Sequence, residues 1–179
     1  MTKVYHYTKG YALNGILNSK EIKREAGASN YIVGSSEGRT VFGAERQVWF
    51  TTETEMPCTA APGIGRKAGV NELYEVQRQP NRGYAKWAHF CKGVYRFEFD
   101  ALDIGAVQYM NGDVREQMEE SGMLRVFEQV AAEANDNVTQ WFHSCEDVSI
   151  GHVKRVEEWK KGRGWVQVSL HFLNLKFAA

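Results

Sequence analysis

Four short stretches of the sequence carry side chains able to do chemistry. Tyr5-His6-Tyr7-Thr8 sets one imidazole among three hydroxyls. Such a histidine is either a neutral, hydrogen-bonded member of a core strand or part of a site. Val48-Trp49-Phe50-Thr51-Thr52 joins two large rings to two hydroxyls, and reads either as a plain core strand or as the wall of a pocket. In Trp141-Phe142-His143-Ser144-Cys145-Glu146-Asp147-Val148-Ser149, Glu146 is either an ordinary turn carboxylate or a functional one. The fourth stretch, 66–92, holds Arg66, Lys67, Arg78, Arg82, Lys86 and Lys92 against Glu72 and Glu75, with Tyr74, Tyr84 and Trp87 between them. Basic residues interleaved with aromatics suit phosphates and unstacked bases. The segment 111–147 is the reverse, with nine acidic residues against Arg115 and Arg125. The plainer reading of the two segments is a pair of differently charged solvated surfaces.

Other chemistries lack their constellations. His143, Cys145 and His152 offer three zinc-type ligands but no second cysteine pair, so no metal is expected. Cys145 has no sequence context that would make it a catalytic thiol. No phosphate-binding loop of the Gly-x-x-x-x-Gly-Lys-Ser/Thr type occurs, and Gly63-x-Gly65 follows no strand.

The elements that must position these residues follow from periodicity. Tyr5, His6, Tyr7 and Thr8 suit a first strand. Leu13, Ile16 and Leu17 predict an amphipathic helix over 10–18, and 21–24 a second short strand. Gly27, Gly34, Gly38 and Gly43 mark a long loop over 25–46, a length that usually signals function. Residues 48–52 form a strand, and 53–92 a long irregular segment with Pro57, Pro62 and Pro80. Tyr95, Phe97 and Phe99 alternate with Arg96 and Glu98, which predicts a half-buried strand. Asp113 and Glu116 form a capping-box pattern for a helix whose apolar face holds Val114, Met118, Phe127, Val130, Ala131 and Ala134, with Gly122 as its weak point. A strand over 153–159 follows, then a last strand where Val166, Val168, Leu170 and Phe172 alternate with Gln167, Ser169 and His171. Strands outnumber helices and do not alternate with them regularly. The class expected is α+β with a mostly antiparallel sheet.

Length and composition set the outer bounds. The 179 residues suit a single domain over 1–179, large enough to bury a core without staples. With 43% apolar and 25% charged residues, long disorder, collagen and coiled coil are excluded. Lys+Arg and Asp+Glu both number 22, so no global field marks a nucleic-acid or membrane binder. No apolar run approaches the ~20 residues of a membrane span, and the first residues lack an apolar signal region. Three cysteines, few and odd in number, fit a reducing compartment, so a cytoplasmic protein is expected.

The order of these pieces resembles the ADP-ribosyltransferase-like superfamily, in its His-containing group of DarT-like and diphtheria-toxin-like domains. The resemblance rests on three separated stretches: Tyr5-His6-Tyr7-Thr8 leading into Leu13, Ile16, Leu17 and Glu21-Ile22; the Trp49 strand; and Glu146 ahead of the 153–159 strand. Many relatives have proline where Val148-Ser149 stands, so the last match is imperfect. The resemblance implies a split, mostly antiparallel sheet and a mono-ADP-ribosyltransferase that uses NAD as a substrate, with no metal. Glu146 and His6 would be catalytic, Glu146 beside the developing oxocarbenium ion and His6 on a ribose hydroxyl. His6, Tyr7, Thr8, Trp49, Phe50, Thr51, Thr52 and Arg46 would bind NAD: Trp49 or Phe50 stacks on nicotinamide, and Thr51 or Thr52 meets the ribose. Arg24 and Arg39 are alternatives to Arg46 for the pyrophosphate. The loop 25–46 would cover NAD, and 53–92 would help choose a protein or nucleic-acid acceptor. His6 and Glu146 are expected to line one cleft, with the first strand and the strand after Val148 near one another in the sheet. Two alternatives stand beside this reading: a non-catalytic binding or inhibitor module on the same scaffold, and an RNA 2′-phosphotransferase-like enzyme. The latter needs basic residues around its phosphate, and none cluster beside His6.

Overall fold

The first strand, β1 (Lys3–Lys9), occupies the middle of the sheet that organises the molecule. The computed structural model describes residues 1–24, 47–55, 93–111, 115–116, 119–120, 122–133 and 136–177. The predicted loop over 25–46, most of the 53–92 segment and Asp113 lie outside the described residues.

Among these residues, β1 is followed by α1 (Gly10–Ser19), β2 (Glu21–Ile22), β3 (Val48–Thr51), β4 (Val94–Asp100), β5 (Val107–Gln108), α2 (Met123–Glu133), β6 (Trp141–Ser144), β7 (Val148–Ser149), β8 (Arg155–Lys160), β9 (Gly164–Val168) and α3 (Leu170–Phe177). Seven strands pair in the order β5-β6-β3-β1-β4-β8-β9, and β2 pairs separately with β7. Every pairing is antiparallel. The fold is therefore α+β with a mostly antiparallel sheet.

Strand alternation gives the large sheet two faces. The register pairs Val4 with Phe99, His6 with Phe97 and Thr8 with Tyr95, so these six share one face. That face is covered by Leu13, Ile16 and Leu17 of α1, Ile22 of β2, Val148 of β7 and Leu173 of α3, which together form the main core. The other face carries Tyr5, Tyr7, Arg96 and Glu98. A second apolar cluster gathers Tyr109, Met110, Leu124, Ala131 and Val138 near Trp49 and Trp141.

Three expectations need correction. β4 is not half-buried: all seven of its residues are buried. It lies between β1 and β8, so its polar face is covered as well as its apolar one. Arg96 Nε donates to Glu157 at 2.5 Å, and Arg155 Nη2 donates to Glu98 at 2.5 Å. The Arg96 guanidinium also lies between the rings of Tyr5 and Trp165, 4.9 and 4.5 Å from their centroids. The long helix expected from Asp113 does not run straight through. Gly122 sits at φ +71°, where a helix ends, and α2 begins only at Met123. The expected last strand stops at Val168. Ser169 leads into α3, whose residue Leu173 donates its N–H to the Ser169 carbonyl at 3.0 Å. Leu170 and Leu173, three apart, then share a helical face toward the core.

Among the described residues no helix is long and apolar enough to cross a membrane.

Candidate functional site

His6 stands on the inner face of β1, the face covered by α1 and the small β2–β7 sheet. Its ring meets Phe50 edge-on at 5.9 Å between centroids. Its Nδ1 lies 3.0 Å from the carbonyl oxygen of Trp49. A carbonyl only accepts, so Nδ1 carries the proton and Nε2 holds the lone pair when the ring is neutral. β3 thus fixes both the orientation and the tautomer of His6. Thr8, buried, follows on the same face, opposite Tyr95. Tyr95 donates its hydroxyl to Glu158 at 3.1 Å, and burial followed by that carboxylate pushes the phenol pKa up.

Alternation divides the proposed NAD-binding residues. His6, Thr8 and Phe50 share the inner face, whereas Tyr7, Trp49 and Thr51 point the other way. One pocket cannot take them all. Tyr7 donates its hydroxyl to the Glu53 carbonyl at 2.8 Å. Trp49 packs against Tyr109 at 4.7 Å between centroids. Its ring also lies near Trp141 and His143. Thr51 is buried, and its hydroxyl accepts the Glu53 N–H at 3.1 Å. Thr52 donates its N–H to the Gln140 carbonyl at 3.0 Å, just beyond the end of β3. These bonds make Tyr7, Trp49 and Thr51 members of the outer face's packing. Arg39 and Arg46 lie outside the described residues.

Glu146 sits on the turn that crosses from β6, in the large sheet, to β7, in the small one. It is exposed, and its carboxylate has no partner among the described residues. Its backbone, by contrast, is held. The buried Ser144 hydroxyl accepts the Glu146 N–H and donates to the Glu146 carbonyl, both at 3.2 Å. Next to it, Asp147 Oδ1 accepts from the Arg24 N–H at 2.9 Å and from Arg24 Nε at 3.2 Å. Lys23 Nζ donates to Asp147 Oδ2 at 3.1 Å. The Arg24 N–H, then the Lys23 ammonium, hold the Asp147 carboxyl pKa down to about 2. Arg24 Nη1 donates to the Cys145 carbonyl at 3.0 Å. Two of the three guanidinium nitrogens of Arg24 are thereby committed to this turn, so a pyrophosphate would have to compete for them.

The large sheet carries an inward-facing, tautomer-fixed imidazole, and the connection between the two sheets carries an exposed carboxylate. The two belong to different elements, and β8, the strand that follows Val148 and Ser149, lies in the same sheet as β1 with β4 between them. Sequence reasoning gave no role to Ser144 or Asp147, and it offered Arg24 as a pyrophosphate ligand, not as a partner of Asp147. The available signal was Ser144 two residues before Glu146, a spacing at which hydroxyls bond nearby backbone. Among the described residues no group of three His, Cys, Asp or Glu side chains is placed to hold a metal ion. No family model matches the chain, and no curated protein or solved structure matches it.

Proposed function

We propose that the chain is an NAD-dependent mono-ADP-ribosyltransferase acting on a protein or nucleic-acid acceptor. The observation that carries the reading is the combination of His6, fixed through Nδ1 on the inner face of β1, with the exposed, partnerless carboxylate of Glu146 on the crossover turn. The sequence resemblance assigns chemistry to those same two positions.

In this reading the ribose of NAD's nicotinamide end lies between the two sheets. His6 Nε2 accepts a hydrogen bond from a ribose hydroxyl. The bond between ribose C1′ and the nicotinamide nitrogen breaks, and its electron pair goes to the ring nitrogen, which leaves neutral. Positive charge develops on C1′ and the ring oxygen, as in glycoside cleavage. Glu146 faces that charge and stabilises it. Preorganised charge of this kind is commonly a large part of the rate. The acceptor's nucleophile then bonds to C1′ and releases its proton. Glu146 suits the task because no neighbouring cation among the described residues already neutralises it.

The test is release of nicotinamide from NAD, alone and with cell extract supplying acceptors. Slow release by the protein alone, faster with extract, is the expected result. NAD should also raise the thermal midpoint, since a ligand at a hundredfold excess over its Kd stabilises the folded state by about 2.7 kcal/mol. Absence of both release and stabilisation at millimolar NAD overturns the proposal and favours a non-catalytic binding module.

A further inference from the structure

The turn that carries Glu146 is held far more firmly than an exposed three-residue connection requires. β2 and β7 pair over only two residues, Glu21 with Ser149 and Ile22 with Val148. Beyond that ladder, side chains continue the pairing. Asp147 takes the Arg24 N–H and Nε, Arg24 Nη1 takes the Cys145 carbonyl, and Ser144 takes both backbone polar atoms of Glu146. Contacts therefore reach each of residues 145–147, at the Cys145 carbonyl, the Glu146 backbone and the Asp147 carboxylate, and none of these contacts uses the Glu146 carboxylate. The contacts come from two sides: Ser144 from the large sheet, Arg24 from the end of β2.

We propose that Asp147 and Arg24 form a clasp that positions Glu146 for catalysis, Asp147 being a positioning residue that does not itself touch substrate. The inference rests on the assignment of Glu146 in the proposed function. Its physical basis is that a charged group stabilises a transition state only if held in place before the reaction, and a displacement near 1 Å can cost about a hundredfold in rate. Glu146 has no side-chain partner of its own to hold it, so its backbone must do so. Arg24 grips the turn at two acceptors, its N–H and Nε on Asp147 Oδ1 and its Nη1 on the Cys145 carbonyl, which defines a geometry where a single lysine contact would not.

Two readouts separate this idea from the function on which it rests. The first is amide hydrogen exchange of the peptide spanning 141–149, which reports the turn without any activity. In Asp147→Ala and in Arg24→Ala, exchange at 145–147 should speed at least tenfold, with the double variant no faster than the faster single one, because both break the same clasp. The second is nicotinamide release. The same variants should lose about tenfold or more in kcat. The Kd for NAD should stay near that of the parent. Asp147→Asn, which keeps an acceptor for the Arg24 N–H, should recover part of the kcat. A purely structural clasp would shift the midpoint and leave kcat alone. Unchanged exchange overturns the clasp itself. Faster exchange with unchanged kcat overturns its positioning role. A parent protein that releases no nicotinamide overturns the proposed function, and the positioning role of Asp147 with it, while the exchange data still decide whether the clasp orders the turn.

Discussion

His6 takes its properties from a neighbour 43 positions away. The Trp49 carbonyl fixes the proton on Nδ1, so Nε2 is an acceptor nitrogen when the ring is neutral. His6→Ala removes that acceptor and the contact with Phe50. We expect NAD to bind about tenfold more weakly, the worth of one ordinary hydrogen bond, and urea denaturation to show a loss of about 1 kcal/mol. Unchanged affinity would remove His6 from the site. Asp147 makes a prediction in pH. Its carboxyl is held to about 2 when folded, first by the Arg24 N–H and then by Lys23. The value in the unfolded chain is the ordinary ~3.9. A lowered folded value means the clasp contributes its full stabilisation above pH ~4 and loses it as pH falls toward 2. Carboxyl NMR should give a midpoint near 2 for Asp147, moving upward in Lys23→Ala and less in Arg24→Ala, which keeps the backbone N–H. A midpoint near 4 in the parent contradicts the clasp. At this scale the sequence singles out His6 and Glu146 by type, but it does not pair Asp147 with Arg24. Their roles come from a contact between positions 123 apart, which no local pattern encodes.

Elements were legible where period and length agreed. Leu13, Ile16 and Leu17 gave α1, and the alternation of Tyr95, Phe97 and Phe99 gave β4. The partners of β4 were not legible. Arg96 and Glu98 read as a solvated face because alternation does not say whether a strand is central or at an edge. β2 and β7 span two residues each, too few for any period. The stretch 166–172 alternates as a strand would, yet Leu170 and Leu173 also fit a helix, and the Ser169 carbonyl that opens α3 settles it for the helix. Gly93 is a position where the element makes a sharp demand. It sits at φ +102°, and an added Cβ would lie 2.8 Å from Tyr95 Cε2 and 2.9 Å from its hydroxyl. Tyr95 cannot withdraw, being fully buried and bonded to Glu158. Gly93→Ala should therefore cost about 2 kcal/mol or more, through both backbone strain and overpacking. Urea denaturation at equilibrium measures it. A cost under about 0.5 kcal/mol, the level of a neutral surface change, would mean the start of β4 tolerates a side chain.

At the largest scale the described residues form a large sheet with a small one laid on its apolar face, and a buried ionic layer on the other. Arg96 and Glu157 bridge β4 to β8 with side chains 8% and 7% exposed. Removing one partner from such a pair strands a buried charge and costs about 3–5 kcal/mol, whereas replacing both by apolar residues costs far less. Arg96→Met alone should thus unfold at much lower urea than Arg96→Met with Glu157→Leu. Equal losses would show that the pair is not coupled. His6 on the large sheet and Glu146 on the connection to the small one stand 140 positions apart in the sequence. The central claim is that Glu146 stabilises positive charge on the ribose, and Glu146→Gln tests it most directly. Gln keeps the size and most of the hydrogen bonding but removes the charge. Nicotinamide release and NAD affinity are measured on both proteins under the same conditions. Turnover should fall roughly a hundredfold or more with little change in NAD affinity, because the interaction strengthens only as charge develops. Equal turnover in the two proteins would contradict the account.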